Sequence, residues 1–217
     1  MLSKKADKQL REKMLISYNN PNARIVEQYR KIMNNIQFLT LDHNNKCILV
    51  TSPSEISGNT TTLVNLGLVM AQQDKKVLLI DTNLRKPSLH QIFEIENKLG
   101  LTTALLNTSK IEESISTTIQ NIDIMPSGPL PPNPSEVLTS QRMQYIVKEL
   151  HHYYDYLLFD SPPINHFSDT QVLANLCDSS ILVIKSGESK HEESIIATNS
   201  LLDSKANLIG AVLSQQK

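Results

Sequence analysis

The segment Cys47-Ile48-Leu49-Val50-Thr51-Ser52-Pro53-Ser54-Glu55-Ile56-Ser57-Gly58-Asn59-Thr60-Thr61-Thr62 constrains this chain more than any other. An apolar run enters a hydroxyl-rich loop, and an apolar, helix-like run (Leu63, Val64, Leu66, Leu68, Val69) leaves it. Strand, loop and helix in this order are the context of a phosphate-binding loop, whose backbone N–H groups wrap an anion at a helix N-terminus. Such a loop ordinarily closes on Gly-Lys-Ser/Thr, and the lysine reaches the β- and γ-phosphates. Here Gly58 and Thr60 keep their places while Asn59 stands in the lysine position. The scaffold of a nucleotide site is present, with an altered residue at its centre.

The rest of the chain repeats the strand–helix alternation. Lys75–Asp81 is a continuous apolar run ending in an acid, and Ile122–Met125, Tyr156–Asp160, Ser180–Ile184 and Leu208–Leu213 are similar. Runs without polar alternation suit parallel strands buried on both faces. Helical spacing is found in Ile25–Leu39, from the loop to about Gln73, and in Ser140–His151, Asp169–Leu176 and Lys190–Leu202. The expected fold is therefore α/β, a mostly parallel sheet with helices on both faces. No linker or repeat divides the chain, so residues 21–217 are expected to form a single domain after a flexible N-terminal segment, residues 1–20. In open sheets of this kind ligands sit at the carboxyl ends of strands. The residues to inspect are therefore Ser52–Thr61, Asp81–Pro87, Ser127–Pro134 and Asp160–Pro163.

Composition narrows the classes. With 217 residues there is enough chain for one sizeable core. A net charge of −1 gives no sign of bulk nucleic-acid binding. No apolar leader opens the chain and no run approaches the ~20 apolar residues that span a bilayer. A cytoplasmic location is expected, with any membrane association made through a partner or a surface patch. Lys4, Lys5, Lys8, Arg11 and Lys13 are diluted by Asp7 and Glu12 and read as a solvated tail rather than a lipid-binding patch. Cys47 and Cys177 sit in or beside apolar runs and read as buried core thiols.

Four blocks together resemble one family. They are Thr51-Ser52 leading to Gly58-Asn59-Thr60-Thr61; Leu78-Leu79-Ile80-Asp81-Thr82-Asn83-Leu84-Arg85-Lys86-Pro87; Ser127-Gly128-Pro129-Leu130-Pro131-Pro132-Asn133-Pro134-Ser135-Glu136-Val137-Leu138; and Leu157-Leu158-Phe159-Asp160-Ser161-Pro162-Pro163. The set resembles the cytoplasmic bacterial tyrosine kinases that control capsule and exopolysaccharide synthesis, over roughly residues 22 to 214. The resemblance implies ATP/ADP and Mg²⁺ as ligands. It implies phosphate contacts from Ser57, Gly58, Asn59, Thr60 and Thr61, and a base contact from Ser214. Thr60, Asp81 and Asp160 would serve the metal. Asp81 would orient or deprotonate the attacking tyrosine, with Asp160 as the Walker B acid. The implied partners are a membrane chain-length regulator of polysaccharide export, an active kinase, or further copies of the chain joined through Glu27 and Arg30.

The same comparison exposes departures. The family has lysine at Asn59, glycine at Ile56 and a second acid at Asn83. Losing one charge-stabilising donor costs roughly 10²–10³ in rate by analogy with oxyanion-hole deletions. A β-branched residue is an outlier wherever the loop requires φ > 0. The family's oligomerisation pattern, Glu-x-x-Arg-x-x-Arg, has Met33 in its last place. The family ends in a tyrosine-rich tail, whereas no tyrosine follows Tyr156 here: either the tail is absent or the chain was cut.

Several residues have plainer readings. Asp81 and Asp160 also suit caps of the turns that follow them. Arg85 suits a phosphate, a neighbouring subunit or a surface ion pair. The prolines at 129–134 read as shaping a loop beside the site, His151-His152 as a helix end, and Tyr153, Tyr154 and Tyr156 as packing residues. Three functions remain open: a family member with weak or lost transfer that acts by binding; an active kinase in which Lys86 or a partner's side chain replaces the lysine; and a partition-type ATPase.

Overall fold

The computed structural model describes residues 12–39, 46–55, 57–119 and 121–215. Its centre is a seven-stranded sheet of β1 (Cys47–Thr51), β2 (Val77–Asp81), β3 (Ser116–Ile119), β4 (Ile122–Met125), β5 (Tyr156–Asp160), β6 (Ser179–Lys185) and β7 (Leu208–Ser214), in the order β3-β4-β2-β5-β1-β6-β7. Every neighbouring pair is parallel except β3 with β4. The expected fold class is the one found, and the apolar runs explain it. β1 and β2 are buried along their whole length because helices cover both faces. Leu49, Leu78, Leu157 and Phe159 point into one core, and Ile48, Val50, Leu79 and Leu158 into the other.

Two helices of the second core set up the loop. α2 (Arg24–Leu39) buries Val26, Met33 and Ile36. α3 (Asn59–Ala71) carries no charged residue and is buried nearly all round, as a helix at the centre of a layered domain must be. On α2 the Glu27 and Arg30 side chains pair with each other, and Arg30 also donates to the Pro21 carbonyl. Met33 is fully buried, so the third position of the oligomerisation pattern faces the core.

Of the N-terminal segment expected over residues 1–20, the structure describes residues 12–20. Residues 1–11, which hold most of the basic cluster, lie outside the described residues. Met14 and Leu15 pack against the second core. The short helix α1 (Ile16–Asn19) lies on α3, tied there by the buried Asn65. Asn65 Oδ1 accepts from the Ser17 N–H at 2.9 Å, and its Nδ2 donates to the Met14 and Thr61 carbonyls. Gln72 donates to the Ser17 carbonyl at 2.7 Å. A polar residue on an otherwise apolar helix gave no sign of this from sequence, because its partners lie 48 and 51 positions away.

The remaining helices are α4 (Leu89–Phe93), α5 (Leu101–Leu105), α6 (Pro134–Leu138), α7 (Gln141–Leu150), α8 (Ser168–Leu176) and α9 (His191–Asp203). Strand β3 and the three five-residue helices escaped the pattern reading: β3 is a half-exposed Ser-Thr-Thr-Ile edge with no apolar run. Cys47 and Cys177 are buried and free, as expected. Tyr154 and Tyr156 are packed, whereas Tyr153 is 67% exposed. Among the described residues no helix is long and apolar enough to cross a membrane.

Asn65→Ala should lower stability by about 1–3 kcal/mol, because buried backbone groups of residues 14 and 17 lose their partner. Denaturant unfolding measures the loss, and limited proteolysis should then cut first within residues 12–20.

Candidate functional site

The carboxyl ends of β1, β2 and β5 meet at one edge of the sheet. The loop after β1 is fastened by its own hydroxyls: Ser52 and Ser57 both donate to the Ser54 carbonyl, at 2.8 and 2.9 Å. Gly58 precedes α3 at φ +82°, a conformation L side chains rarely adopt. A Cβ there would meet nothing closer than Ser214 Oγ at 3.6 Å, so backbone conformation rather than space requires the glycine. No acid occupies the first turn of α3, which leaves the helix's positive end open to an anion. Ser214, expected to meet a base, ends β7 beside the loop and donates to the Ser57 carbonyl at 2.6 Å. Ile56 lies outside the described residues.

Asn59 does not point along a phosphate path. Its Nδ2 donates to Asp160 Oδ1 at 3.1 Å and to the Ser161 carbonyl at 3.0 Å. Thr60 Oγ1 donates to Asp160 Oδ2 at 2.7 Å. Both oxygens of Asp160 are thus occupied by neutral donors from the first turn of α3. As a test of fit, the two halves of a Mg·nucleotide divide. A hydroxyl and a carboxylate in contact are donors of the type Mg²⁺ takes. The residue that should meet the triphosphate is neutral, short and turned inward.

Asp81 and Asp160 lie side by side in the β2–β5 ladder and are fully buried. Asp81 Oδ1 accepts from the Asn83 N–H, and Oδ2 from the Ser88 and Leu89 N–H groups. It therefore does cap the turn and the helix that follow. Asp160 does not, since its acceptors face α3. Burial pushes the Asp81 carboxyl up to about 6, against the lowering pull of those three N–H groups. Burial, and then the charge of Asp81, push Asp160 well above the usual carboxylate range, while Thr60 and Asn59 pull it down.

A cleft of about 300 Å³ opens over Asn59 and Thr60, walled by Arg85, Lys86, Pro163 and Phe167 among others. Neither Asp81 nor Asp160 lines it. Lys86 pairs across it with Glu55 at 3.2 Å. Arg85 forms neither a simple surface pair nor a bare cation. It donates to Asp169 Oδ2 at 3.3 Å, Asp169 is only 3% exposed, and the guanidinium lies 4.9 Å from the Phe167 ring centre. Ser135 donates to the other oxygen of Asp169. The proline block therefore reaches the cleft through Ser135 and Asp169 rather than by lining it. Asp169, Phe167 and Glu55 carried no motif signal, and the Arg85–Asp169 pair spans 84 positions. Thr61 supplies its carbonyl to Asn65. Among the described residues no group of three or more His, Cys, Asp or Glu could hold a metal.

Between pH about 4 and 6 the folded protein keeps a proton on Asp81 that the unfolded chain has released, so stability falls as pH rises through this window. The buried pair is therefore a stability cost at neutral pH. Asp160→Asn keeps an acceptor for Asn59 and removes one charge. Thermal melts in chelator should show it more stable than the parent at pH 7.5 by at least ~2 °C. The gain should shrink toward pH 5.

Comparison with known proteins agrees with this geometry. An AAA domain family model matches residues 45–207. The chain is 41% identical over 207 residues to the tyrosine-protein kinase YwqD of Bacillus subtilis (strain 168), covering 95% of this chain and 87% of that one. It is 34% identical over 202 residues to the putative tyrosine-protein kinase CapB of Staphylococcus aureus, covering 93% and 89%. The crystal structure of the chimerical protein CapA2B2 superimposes with a TM-score of 0.90 at 34% identity, covering 94% of this chain and 90% of the other. With the loop, the two strand-end acids and the proline block in place, the chain belongs to the family of bacterial tyrosine-protein kinases.

Proposed function

We propose that this chain is a regulatory member of the tyrosine-kinase family in capsule or exopolysaccharide synthesis, with ATP-dependent phosphoryl transfer weakened or lost. One observation carries the reading: Asn59, in the lysine position, donates inward to Asp160 and the Ser161 carbonyl. Electrostatic stabilisation is the main catalytic contribution in phosphoryl transfer, and a neutral side chain turned away from the phosphates supplies none of it.

In this reading Thr60 and Asp160 would still hold Mg²⁺, with Asp81 behind them, and Ser57, Gly58, Asn59, Thr60, Thr61 and Ser214 remain the nucleotide-facing set. Mg²⁺, when bound, would neutralise phosphate charge. Asp81 and Asp160 are then vestiges of the catalytic pair. The protein works instead by binding a membrane chain-length regulator, an active kinase or further copies of itself through Glu27 and Arg30, at the inner face of the membrane. The names of the relatives support the family role, and the loop chemistry supports the loss.

An active kinase is the second reading, because Lys86 lines the same cleft as Asn59 and Thr60 and its ion partner there is the exposed Glu55.

Titration calorimetry with Mg·ATP and Mg·ADP separates them, run on this chain and on the Ile56→Gly/Asn59→Lys double variant. Absent binding by the parent and micromolar binding by the double variant are expected. Tight Mg·ATP binding by the parent, abolished by Lys86→Met, would establish the second reading instead.

A further inference from the structure

The cleft over Asn59 has a chemistry of its own. Its volume, about 300 Å³, lies at the small end of ligand pockets, which run ~300–1,000 Å³, and suits one modified side chain. Two cations, Arg85 and Lys86, stand on its wall. The acids beneath are turned away: both oxygens of Asp160 accept from Asn59 and Thr60, and those of Asp81 from backbone N–H groups. Among the described residues Glu55 is the single acid in the lining, and its pair with Lys86 is exposed on both sides. An exposed pair of this kind is worth little and exchanges readily for a better anion.

Arg85 is held for such a role. The buried Asp169 takes one of its N–H donors, with Ser135 steadying Asp169 from the other side. The Phe167 ring lies under the guanidinium. A guanidinium offers five donors in a fixed fork, so among the described residues most of the fork is left over for a phosphate. Phe167 and Pro163 give the cleft flat apolar walls beside these cations. Cations next to flat apolar walls match a group that is anionic at one end and aromatic at the other. Recognition of phosphorylated side chains by arginine clusters uses the same parts.

We propose that this cleft binds phosphotyrosine on a phosphorylated protein segment, with Arg85 and Lys86 on the phosphate and Phe167 and Pro163 against the ring. The inference rests on the proposed loss of phosphoryl transfer. A site that no longer makes phosphotyrosine is left able to hold it.

The test uses the full chain and calorimetry with phenyl phosphate, against inorganic phosphate, phenol and Mg·ADP. Phenyl phosphate should bind at least about tenfold tighter than inorganic phosphate, since each ~1.4 kcal/mol of added contact is a factor of ten. Arg85→Met and Lys86→Met should each weaken it about tenfold or more. Lys86 is 77% exposed, so its replacement keeps the test open even where Arg85→Met disturbs folding. Phe167→Leu should reduce the preference for phenyl phosphate and leave inorganic phosphate binding unchanged. Glu55→Gln should strengthen binding. Phenyl phosphate that binds no tighter than inorganic phosphate, or that is indifferent to both cations, overturns the inference. If Mg·ATP also fails to bind, that result sinks this inference alone. Tight Mg·ATP binding that displaces phenyl phosphate sinks both it and the proposed loss of transfer.

Discussion

The site depends on one pairing: β2 beside β5 in parallel register, which sets Asp81 against Asp160 with neither exposed to water. Two adjacent carboxylates removed from water repel each other and lose hydration, so each must be supplied with donors or keep a proton. Asp81 is supplied by the backbone of the turn it caps. Asp160 is supplied by the first turn of α3, from Asn59 and Thr60. That last arrangement ties the loop to the sheet without a ligand. The interaction that satisfies the buried acid is also the one that turns the Asn59 side chain inward.

The charged groups left at the surface then define a different site. With both acids turned inward, Arg85 and Lys86 are the charges on the cleft wall, and among the described residues the one acid lining it, Glu55, is already paired with Lys86. Arg85 is fixed by Asp169, which is fixed in turn by Ser135 at the end of the proline block. A block that the sequence marks strongly thus acts at one remove, by positioning a cation. Glu27 and Arg30 pair with each other, Arg30 also reaches the Pro21 carbonyl, and Met33 fills the core beneath them, so this chain presents two arms of the oligomerisation pattern where the pattern has three.

Much of this was legible beforehand. Apolar runs of β1, β2, β5 and β6 announced a parallel sheet because parallel strands are buried on both faces. Gly58, Thr60, Asp81 and Asp160 were legible because they punctuate the ends of those runs. Long-range polar contacts were not legible. Asn65, Asp169 and Phe167 lie in no motif, and their partners are decided by how helices pack. The contacts of residues 14–17 are hidden for the same reason: Met14-Leu15-Ile16 is too short an apolar run to mark a core position, and the asparagine that holds this backbone lies on another helix. Tyr153 shows the converse error, since adjacency to a buried strand says nothing about which neighbour faces out.

In the proposed reading the inward-turned Asn59 is the main lesion in phosphoryl transfer, with Ile56 and Asn83 beside it. The direct measurement is transfer of labelled γ-phosphate to a tyrosine-rich peptide, by this chain and by Asn59→Lys alone and with Ile56→Gly. Little transfer is expected from the parent, and a rise of roughly 10²–10³ in the variants that regain the lysine. Transfer by the parent at the ~1–100 s⁻¹ of working kinases, unchanged by Asn59→Lys, would contradict it.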